Sequence, residues 1–550
     1  MSNEPSVYGA FTESVGRYAD RPMMYVTAAT GRVYGSGSES LSYAQVMGQV
    51  ETLKARYGAA GIGPGDRVAL MLENRPAFFA NFLALNALGA SVVPIYQDMP
   101  ADEVAFRLDH SEAALLIHLP AYRELAVAAS EACRRPVPCA TPDEALPALL
   151  ETRRAASRGP DGEAAIVYTS GSTGKPKGCL LSNEYFIELG RWYIAQGGYC
   201  ELSPDGERLI TPLPVSHMNA LACSFMAMLM SGGCLVQLDR FHPSTWWEQV
   251  RESGATLIHY LGVMPAILLK MEPANDDDLG RQVRFGFGAG VDPRHHALFE
   301  ERFGFPLIEA WAMTETGAGS CVAASHEPRH VGTRCFGKFP PSMDYRIVDD
   351  TGADCAPDVP GELLVRAAGD NPRRGFFSRY FKDPDATAAA WEGGWFHTGD
   401  IVKQDAEGSV FFVDRSKNIV RRSGENIAAV EVEGALLALP GVKSCAVAPV
   451  PDEIRGEEVM ALVVPAEATQ RNEAGARALV QATRDALAYF KVPGYIAFAD
   501  TLPLTSSEKL QRGELKKLCA GLVEAGKVYD LRDEKRRRAA AAPGDNKNRT

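Results

Sequence analysis

Short apolar segments alternate with amphipathic helical segments through the first three-quarters of the chain. The segments with the length and composition of buried strands are DRVALML, SVVPI, AAIVY, TLIHY, VRFGF and PLIEAW. Alternating strands and helices are typical of βαβ units, which build parallel sheets. The pattern predicts a large α/β domain with mainly parallel sheets, in which ligands bind beyond the carboxyl ends of the strands.

Two helices of this region have recognisable ends. Asn74 and Pro76 predict the cap and first turn of a helix that Gly89 closes. Ser244 predicts the cap of the helix STWWEQVRES, which Gly254 ends. These helices fit between the predicted strands of the large domain.

The composition of the chain changes after about Asp414. A helix and two strands within VEVEGALLALPGVKSCAVAPV and EEVMALVVP, and a further helix near 474–489, predict a compact α+β domain. From 529 the sequence has charge, Ala, Gly and Pro but almost no apolar side chains. We therefore expect domains at 1–414 and 415–528, followed by a disordered tail at 529–550.

Length and composition limit the class of protein. A chain of 550 residues predicts more than one domain, and a net charge of −12 argues against nucleic-acid binding. Eleven cysteines without a CxxC pair indicate free thiols in a reducing compartment. Two glycines divide the apolar run 218–238, which predicts a buried helix and strand and not a membrane span. Because no export signal is evident, we expect a soluble, cytoplasmic protein. Its oligomeric state stays open, with a homodimer as one option.

The loop YTSGSTGKPKG at 168–178 follows a predicted strand and has the composition of a phosphate-binding turn. Small residues let backbone amides approach an anion, and Lys175 and Lys177 add positive charge. A Walker loop needs four residues between its first Gly and its Gly-Lys, and only two separate Gly171 from Gly174. The loop therefore predicts phosphate binding of another design.

This loop resembles the signature loop of the adenylate-forming superfamily, which comprises acyl-CoA synthetases, peptide-synthetase adenylation domains and luciferases. Segments similar to the other motifs of that family follow in order: PLPVSHMNAL (212–221), EAWAMTETG (309–317), PGELLVRAAG (360–369), WFHTGD (395–400), VDRSKNIVRRSGENI (413–427) and LTSSEKLQRGEL (504–515). The resemblance covers nearly the whole chain. It implies a large N-terminal domain with parallel and mixed sheets and a small, mobile C-terminal α+β domain.

The resemblance also implies an ATP site. The residues that it places on the nucleotide are Thr169, Ser170, Gly171, Ser172, Thr173, Gly174, Lys177, Gly288, Ala289, Gly290, Glu309, Ala310, Trp311, Asp400 and Arg415. Thr314 is expected to donate to a phosphate, and Glu315 to hold Mg²⁺, which prefers oxygen ligands. Ala312 stands where the family usually has Gly.

Further roles implied by the resemblance concern the acid and coenzyme A. His217 lies where acyl group, phosphate and thiol meet, as a gate. Lys509 reaches the carboxylate and α-phosphate, where a placed cation lowers the barrier. Lys417 matches the hinge, and Gly424 the loop that admits the pantetheine of coenzyme A. Asp414 precedes the hinge where the family usually has Gly. Together with Thr314 and Glu315, His217 and Lys509 form the predicted catalytic set.

The function predicted in this way is that of an ATP- and Mg²⁺-dependent acid–CoA ligase for a monocarboxylic acid. The main alternative is an enzyme that loads a carrier protein, and a luciferase-like oxygenase or a nucleotide sensor without turnover are further alternatives. PVSHMNA stands where peptide-synthetase domains carry an FDxS-type segment, which disfavours the main alternative.

The acid itself is left open. HYLGVMP and FKVPGYIAFADTLPLT resemble the crotonobetaine/carnitine–CoA ligase branch. Trp311, Tyr260 and Tyr185 are candidates to stack on a cationic head group. Aromatic side chains suit an apolar acyl group equally well, so a betaine, a short or medium fatty acid and an aromatic acid all stay possible.

Overall fold

The computed structural model describes residues 5–147, 149, 159–169, 176–422, 425–452, 455–467, 470–504 and 510–535, with the backbone alone at 417, 425, 426 and 485. The chain forms two compact units. The larger comprises residues up to 398 and 402–412, and the smaller comprises 399–401 and residues from 413 onward. The boundary expected between 414 and 415 lies close to this division.

The strands of the larger unit, including two that the division crosses, are β1 (Pro22–Val26), β2 (Glu39–Ser42), β3 (Arg67–Met71), β4 (Ser91–Pro94), β5 (Leu115–His118), β6 (Cys139–Ala140), β7 (Glu163–Thr169), β8 (Lys177–Ser182), β9 (Arg208–Thr211), β10 (Cys234–Gln237), β11 (Leu257–Leu261), β12 (Phe285–Ala289), β13 (Leu307–Trp311), β14 (Val322–Ala323), β15 (Cys335–Gly337), β16 (Met343–Val348), β17 (Gly361–Ala367), β18 (Arg379–Tyr380), β19 (Phe396–Gln404) and β20 (Val410–Arg415). Its helices are α1 (Val7–Tyr18), α2 (Ala28–Tyr34), α3 (Tyr43–Ala59), α4 (Pro76–Ala87), α5 (Ala101–Ser111), α6 (Arg123–Ala132), α7 (Asn183–Ile194), α8 (Phe225–Ser231), α9 (Trp246–Ser253), α10 (Val263–Leu269), α11 (Pro293–Phe303) and α12 (Pro384–Ala390).

Two large mixed sheets form the framework of this unit. The eight-stranded sheet has the order β14-β13-β12-β11-β9-β10-β1-β2, parallel from β13 to β1 with antiparallel edge strands. The seven-stranded sheet has the order β18-β8-β7-β4-β3-β5-β6, parallel from β7 to β6. In it β8 pairs antiparallel with both β7 and β18. A five-stranded sheet has the order β15-β20-β19-β17-β16. The α/β fold with parallel and mixed sheets is thus confirmed.

The predicted helix ends are partly correct. Pro76 opens α4, but the cap residue is Arg75 and makes no side-chain cap bond, so the assignment of the cap to Asn74 is wrong. The amide of Asn74 is used elsewhere, as shown below. Ser244 likewise does not cap α9, which follows a short 3₁₀ turn. Gly254 ends α9 in the left-handed conformation, as predicted.

The apolar run 218–238 forms a π-helical turn over Asn219–Ser224, then α8, then β10. A buried helix and strand are therefore confirmed. Within the described ranges, none of the helices combines the length and apolar character needed to cross a bilayer.

The strands of the smaller unit are β21 (Ile419–Arg422), β22 (Glu425–Ala428), β23 (Val442–Asp452), β24 (Gly456–Pro465), β25 (Tyr495–Phe498) and β26 (Tyr529–Asp530), and its helices are α13 (Ala429–Leu437), α14 (Glu473–Ala486) and α15 (Arg512–Glu524). The sheet has the order β22-β21-β24-β25-β26, and β23 pairs with β24. Helices α13 and α15 both contact β23. This is the predicted α+β domain.

The predicted disordered tail is wrong at its beginning. Strand β26 pairs antiparallel with β25, and Leu531 is buried in the core of the smaller unit. The ammonium of Lys535 is buried against Glu458, whose carboxylate also accepts from the guanidinium of Arg422. Residues 529–535 therefore belong to the folded part of the chain, because apolar and paired charged side chains are buried there. Residues 536–550 lie outside the described residues.

Candidate active site

The phosphate-type loop is flanked by two paired strands. Thr169 at the end of β7 lies opposite Lys177 at the start of β8, so both predicted residues stand at the base of the loop. The predicted contacts at Ser170, Gly171, Ser172, Thr173 and Gly174, together with Lys175, lie outside the described residues. The loop therefore lies between the paired strands β7 and β8.

Glu315 supplies a carboxylate beside Thr169, at the base of the glycine-rich loop. Its side chain is buried, and Oε1 accepts hydrogen bonds from Oγ1 of Thr169 at 3.3 Å and from the phenol of Tyr380 at 3.0 Å. Lys177 places its ammonium 4.9 Å from the centre of the Tyr380 ring. Thr169 and Lys177 from the glycine-rich loop motif, and Glu315 from a second motif, therefore meet around one aromatic residue.

Sequence reasoning did not identify Tyr380. Burial raises the pKa of this phenol, so it stays protonated and donates to Glu315. Strand β18 carries Tyr380 to this position because it pairs with β8, with Tyr380 opposite Cys179. The pair Asp383-Pro384 marks the end of this strand in the sequence. The strand itself has only two residues, which is too short for sequence periodicity to predict it.

The oxygen-rich surroundings of Glu315 suit Mg²⁺. A carboxylate and a threonine hydroxyl are hard oxygen ligands. The described residues contain no group of three or more His, Cys, Asp and Glu side chains that could hold a metal ion. Mg²⁺ is usually bound by one or two carboxylates together with substrate phosphates and water, so the residues present fit this ion.

Glu309 shapes the turn at 288–291, which includes the predicted nucleotide-binding residues Gly288, Ala289 and Gly290. Its two carboxylate oxygens accept from the backbone amides of Gly290 at 2.9 Å and Val291 at 2.8 Å. Burial raises the pKa of Glu309, and the two amides oppose that shift. The observed contacts of this side chain therefore hold the turn, and Ala289 and Gly290 are exposed at its surface.

Gly288 has no room for a side chain. A Cβ there would lie 2.3 Å from the carbonyl oxygen of Tyr260 on the neighbouring strand. Tyr260 and Tyr185 are buried, and their hydroxyls donate to the carbonyls of Ile308 at 3.2 Å and Thr314 at 2.9 Å. Both rings belong to the protein interior, so the suggestion that they stack on a substrate head group is wrong.

Trp311 ends β13, directly after the half-buried Ala310. Its ring stacks on Phe336 with 5.9 Å between centroids and meets Phe339 edge-on. Only 5% of Trp311 is exposed, whereas the next residue, Ala312, is exposed. The indole therefore packs mainly against other aromatic side chains of the protein.

The His217 loop, residues 212–218, leads into the π-helical turn. The side chain of His217 is half-buried, and its carbonyl accepts from the amide of Leu221 at 3.1 Å. Behind the turn, Nδ1 of His259 lies 2.8 Å from Oγ of Ser224, and Nε2 lies 2.8 Å from the hydroxyl of Tyr193. Burial lowers the pKa of His259 to about 3. A neutral, fully buried imidazole therefore supports this turn from inside.

In the smaller unit, Asp400 and Arg415 form an ion pair at 3.2 Å. The Asp400 side chain is 3% exposed and that of Arg415 is 48% exposed, so the guanidinium faces solvent while the carboxylate is held beneath it. These two residues, both predicted to contact the nucleotide, are thus neighbours. The side chain of Lys417, and the residues Gly424 and Lys509, lie outside the described residues.

Asp414, the departure from the family pattern, has a structural role. Its Oδ1 accepts from the backbone amide of Arg415 at 2.7 Å and from Nδ2 of Asn418 at 3.1 Å. Its Oδ2 accepts from the amide of Val430 at 3.1 Å, in the first turn of α13. The carboxylate therefore connects the predicted hinge turn to that helix.

Comparison with known proteins identifies the family. The model of the AMP-binding enzyme family matches residues 11–377, and that of the AMP-binding enzyme C-terminal domain matches 431–509. A sulfoacetate–CoA ligase of Cupriavidus necator is 33% identical over 491 residues, covering 86% of this chain and 92% of that protein. A crotonobetaine/carnitine–CoA ligase of Salmonella arizonae is 29% identical over 529 residues, covering 91% and 97%. The crystal structure of ATP-bound MatB from Rhodopseudomonas palustris is 25% identical, with a TM-score of 0.77 over 93% of this chain and 98% of that one.

The chain therefore belongs to the AMP-binding enzyme family. Within it, the protein is an enzyme of the AMP-forming acid–CoA ligase class, like the two ligases named above. The resemblance inferred from the motifs is confirmed, and so are the ligase class and the use of ATP, Mg²⁺ and CoA.

Proposed function

We propose that this ligase activates an acid bearing a single carboxylate and an apolar acyl group. In the first step a carboxylate oxygen attacks the α-phosphorus of ATP, and the bond to pyrophosphate breaks. In the second, the CoA thiol attacks the acyl carbonyl, the thiol proton is lost, and AMP leaves with the bond electrons. The products are acyl-CoA, AMP and pyrophosphate.

The observation that best supports the first step is the meeting of Thr169, Lys177 and Glu315 at the base of the glycine-rich loop. Hydroxyls and an ammonium there suit the phosphates of ATP, and Thr314 adds another hydroxyl one residue before Glu315. Mg²⁺ held by Glu315 would neutralise charge on the phosphates. Preorganised charges of this kind act without reorganising during the reaction.

We assign the remaining nucleotide contacts by the same combination of motif and position. Asp400 accepts from the ribose hydroxyls, and Arg415, which is paired with it at 3.2 Å, lies beside them. The exposed Ala289 and Gly290 lie along the adenine, and Gly288 sets the depth of that surface. Trp311 closes the wall behind it.

For the second step we propose that the smaller unit turns about a hinge at Lys417. Before that turn, in the first step, Lys509 contacts the carboxylate of the acid and the α-phosphate of ATP where the two meet. Gly424 serves the entry of pantetheine, where a side chain would obstruct the thiol. His217 lies between the two reactants as a gate.

The chemistry of the acid follows from what lines the expected pocket. PVSHMNAL, HYLGVMPAI, GFGAGVD and WAMTETGAG hold no Lys or Arg. A second carboxylate would be left unpaired there, and a buried unpaired charge is costly. Leu261, the last residue of β11, and Val263, the first residue of α10, are 39% and 61% exposed, and Leu261 lies opposite Ala289. Exposed apolar side chains beside the nucleotide surface favour an apolar acyl group.

The reaction is tested with ATP, Mg²⁺, CoA and a panel of acids, with AMP and acyl-CoA as readouts. The informative pairs match in chain length, butyrate against succinate and propionate against malonate. We expect AMP and acyl-CoA with monocarboxylates and much lower kcat/KM with their dicarboxylate partners. ADP as the sole nucleotide product would refute attack at the α-phosphorus. A dicarboxylate preferred in both pairs would refute the acid class.

The same assay decides the acyl acceptor, because AMP release with a pantetheinylated carrier protein but not with CoA would favour the carrier-loading alternative.

We also propose a reducing, cytoplasmic location. All eleven cysteines are free thiols in the structure. Thiol labelling of the unreduced, denatured protein should therefore modify every cysteine, and protected thiols would contradict this proposal.

A further inference from the structure

Asn74 joins the two large sheets of the larger unit. It lies in the turn between β3 and α4, at the carboxyl edge of the seven-stranded sheet, and only 6% of it is exposed. Its Nδ2 lies 3.0 Å from the carbonyl oxygen of Leu238, 3.1 Å from that of Asp239 and 3.3 Å from that of Leu213. Its Oδ1 accepts from the amide of Val215 at 3.0 Å. These four residues follow β9 and β10 of the eight-stranded sheet.

The turn that presents Asn74 is itself held firmly. Glu73 has φ 55°, a left-handed conformation unusual for a residue with a side chain. Its carboxylate accepts from Nε of Arg75 at 2.8 Å and from the hydroxyl of Tyr122. The hydroxyl of Tyr34 donates to the carbonyl of Asn74 at 2.7 Å. A strained conformation persists only when its surroundings fix it, and these contacts do so.

Asn74 binds the His217 loop directly, through the backbone amide of Val215. Val215, whose amide is bound by Asn74, lies two residues before His217, and the amide of His217 donates to the carbonyl of Pro214 at 3.0 Å. The other end of the loop continues into the π-helical turn that His259 supports. The loop is therefore held at two points. His259, from the eight-stranded sheet, supports its C-terminal end, and Asn74, from the seven-stranded sheet, binds Val215.

We propose that Asn74 is a positioning residue, which sets the place of His217 and thereby the fit of the acid and the approach of the thiol. The inference rests on the proposed role of His217. Only an amide side chain supplies both the N–H donors for the carbonyls and the acceptor for Val215. Asp keeps the shape and the acceptor but has no N–H, and it turns an oxygen toward carbonyl oxygens.

Asn74→Asp is therefore the primary test, and Asn86→Asp is its matched control. Asn86 lies in α4 itself and is buried to a similar extent, 7% exposed. Its Oδ1 accepts from the amide of Tyr8 at 2.9 Å, and its Nδ2 donates to Asn183 at 2.8 Å. The control thus removes a comparable buried hydrogen bond without touching the His217 loop.

For each variant, Tm, KM for the acid, KM for ATP and the rate of thioester formation from supplied acyl-AMP are measured on the full chain. We expect Asn74→Asp to raise KM for the acid and to slow thioester formation, on the order of tenfold to a hundredfold, because small misplacements at a reacting centre have effects of this size. KM for ATP should stay near the wild-type value. Asn86→Asp should lower Tm but leave all three kinetic quantities close to wild type.

Equal kinetic changes in the two variants, or a rise in KM for ATP that matches the rise for the acid, would overturn the inference. If Asn74→Asp does not fold, Asn74→Ala is compared with Asn86→Ala on the same readouts. Failure of both Asn74 variants to fold would show a purely structural role and also overturn it. Wild-type protein that forms no acyl-CoA with any acid would instead sink the proposed function.

Discussion

The phenol oxygen of Tyr380 lies 3.0 Å from Oε1 of Glu315 and donates its hydrogen to that carboxylate. Because burial raises the pKa of Tyr380, the donor is retained across the physiological pH range. Thr169 donates to the same oxygen. Two hydroxyl donors on one oxygen fix the rotation of the carboxylate, and so they define which way its other oxygen faces.

We therefore predict that Tyr380→Phe weakens the use of Mg²⁺ and ATP. A hydrogen bond to a charged group contributes about 1.5–3 kcal/mol, and about 1.4 kcal/mol corresponds to a tenfold change. We expect kcat/KM for ATP to fall about tenfold or more, with a higher Mg²⁺ requirement and little change in KM for the acid. Pyrophosphate release measured across ATP and Mg²⁺ concentrations checks this.

The matched control is Tyr57→Phe, which removes a buried hydroxyl bound to Asn81 in the helical part of the larger unit. It should lower stability without changing the dependence on ATP or Mg²⁺. If the two variants show the same dependence as wild type, Tyr380 contributes to stability alone and the reading of Glu315 above loses its support.

Three glycine substitutions should differ in a definite order of stability. Gly288→Ala places a Cβ 2.3 Å from the Tyr260 carbonyl oxygen, a backbone atom that cannot turn away. Overpacking of this kind costs about 1–3 kcal/mol, and more where the neighbour is backbone. Gly290→Ala meets no atom within 4 Å but has φ +81°, which costs about 1–2 kcal/mol. Gly48→Ala, exposed in α3, meets no atom and should stabilise by about 0.5–1 kcal/mol.

Urea unfolding of the three variants measures this order. ATP affinity should fall for Gly288→Ala and be unchanged for Gly48→Ala. A Gly288→Ala protein as stable as Gly48→Ala, with wild-type ATP affinity, would show that β11 and β12 separate at no cost.

The framework of the fold could be read from the sequence because parallel strands buried on both faces appear as continuous apolar runs. TLIHY and VRFGF are examples, and they became β11 and β12. Side-chain partners over long separations could not be read in this way. Asn74 has the local signature of a helix cap, yet its amide binds Val215, 141 residues away. Tertiary hydrogen bonds here outweigh a local cap.

In the candidate site, too, local sequence motifs predicted some residues, whereas residues that depend on long-range pairing were missed. The ordered motifs located Thr169, Lys177 and Glu315, since each lies in a segment whose composition is distinctive. Tyr380 lies 65 residues from Glu315, and its role depends on the pairing of β18 with β8. The packing of residues 529–535 was also missed, because the burial of Leu531 and the pairing of Lys535 appear only in the folded smaller unit.

Asp414 provides a test of the hinge. Asp414→Ala removes an acceptor from Arg415, Asn418 and Val430 together, so the hinge turn is released from α13. Loss of a helix-capping side chain costs about 1 kcal/mol. We expect the variant to change the ratio of the two half-reaction rates, measured as single-turnover pyrophosphate release and thioester formation from acyl-AMP.

Asp349→Ala is the control for this variant. Asp349 accepts from the amides of Thr351 and Ala353 in an exposed turn of the larger unit. It should leave the ratio of rates unchanged. An unchanged ratio in Asp414→Ala as well would show that the hinge does not depend on this carboxylate.

His259 predicts a specific loss of stability in acid. Burial lowers its pKa to about 3 in the folded protein, whereas an unfolded histidine has a pKa of about 6.5. Between these values the unfolded chain binds a proton that the folded chain does not, so the free energy of unfolding falls as the pH drops below about 6.5. At pH 5 this amounts to about 2 kcal/mol, since each pH unit contributes about 1.4 kcal/mol.

His259→Gln keeps polar atoms toward Ser224 and Tyr193 but does not titrate. Urea unfolding at pH 7 and pH 5 should therefore show a loss about 2 kcal/mol smaller in His259→Gln than in wild type, because every other titrating group is common to both. Equal losses in the two proteins would mean that His259 becomes protonated in the folded state, and that the network behind the π-helical turn accommodates a charge.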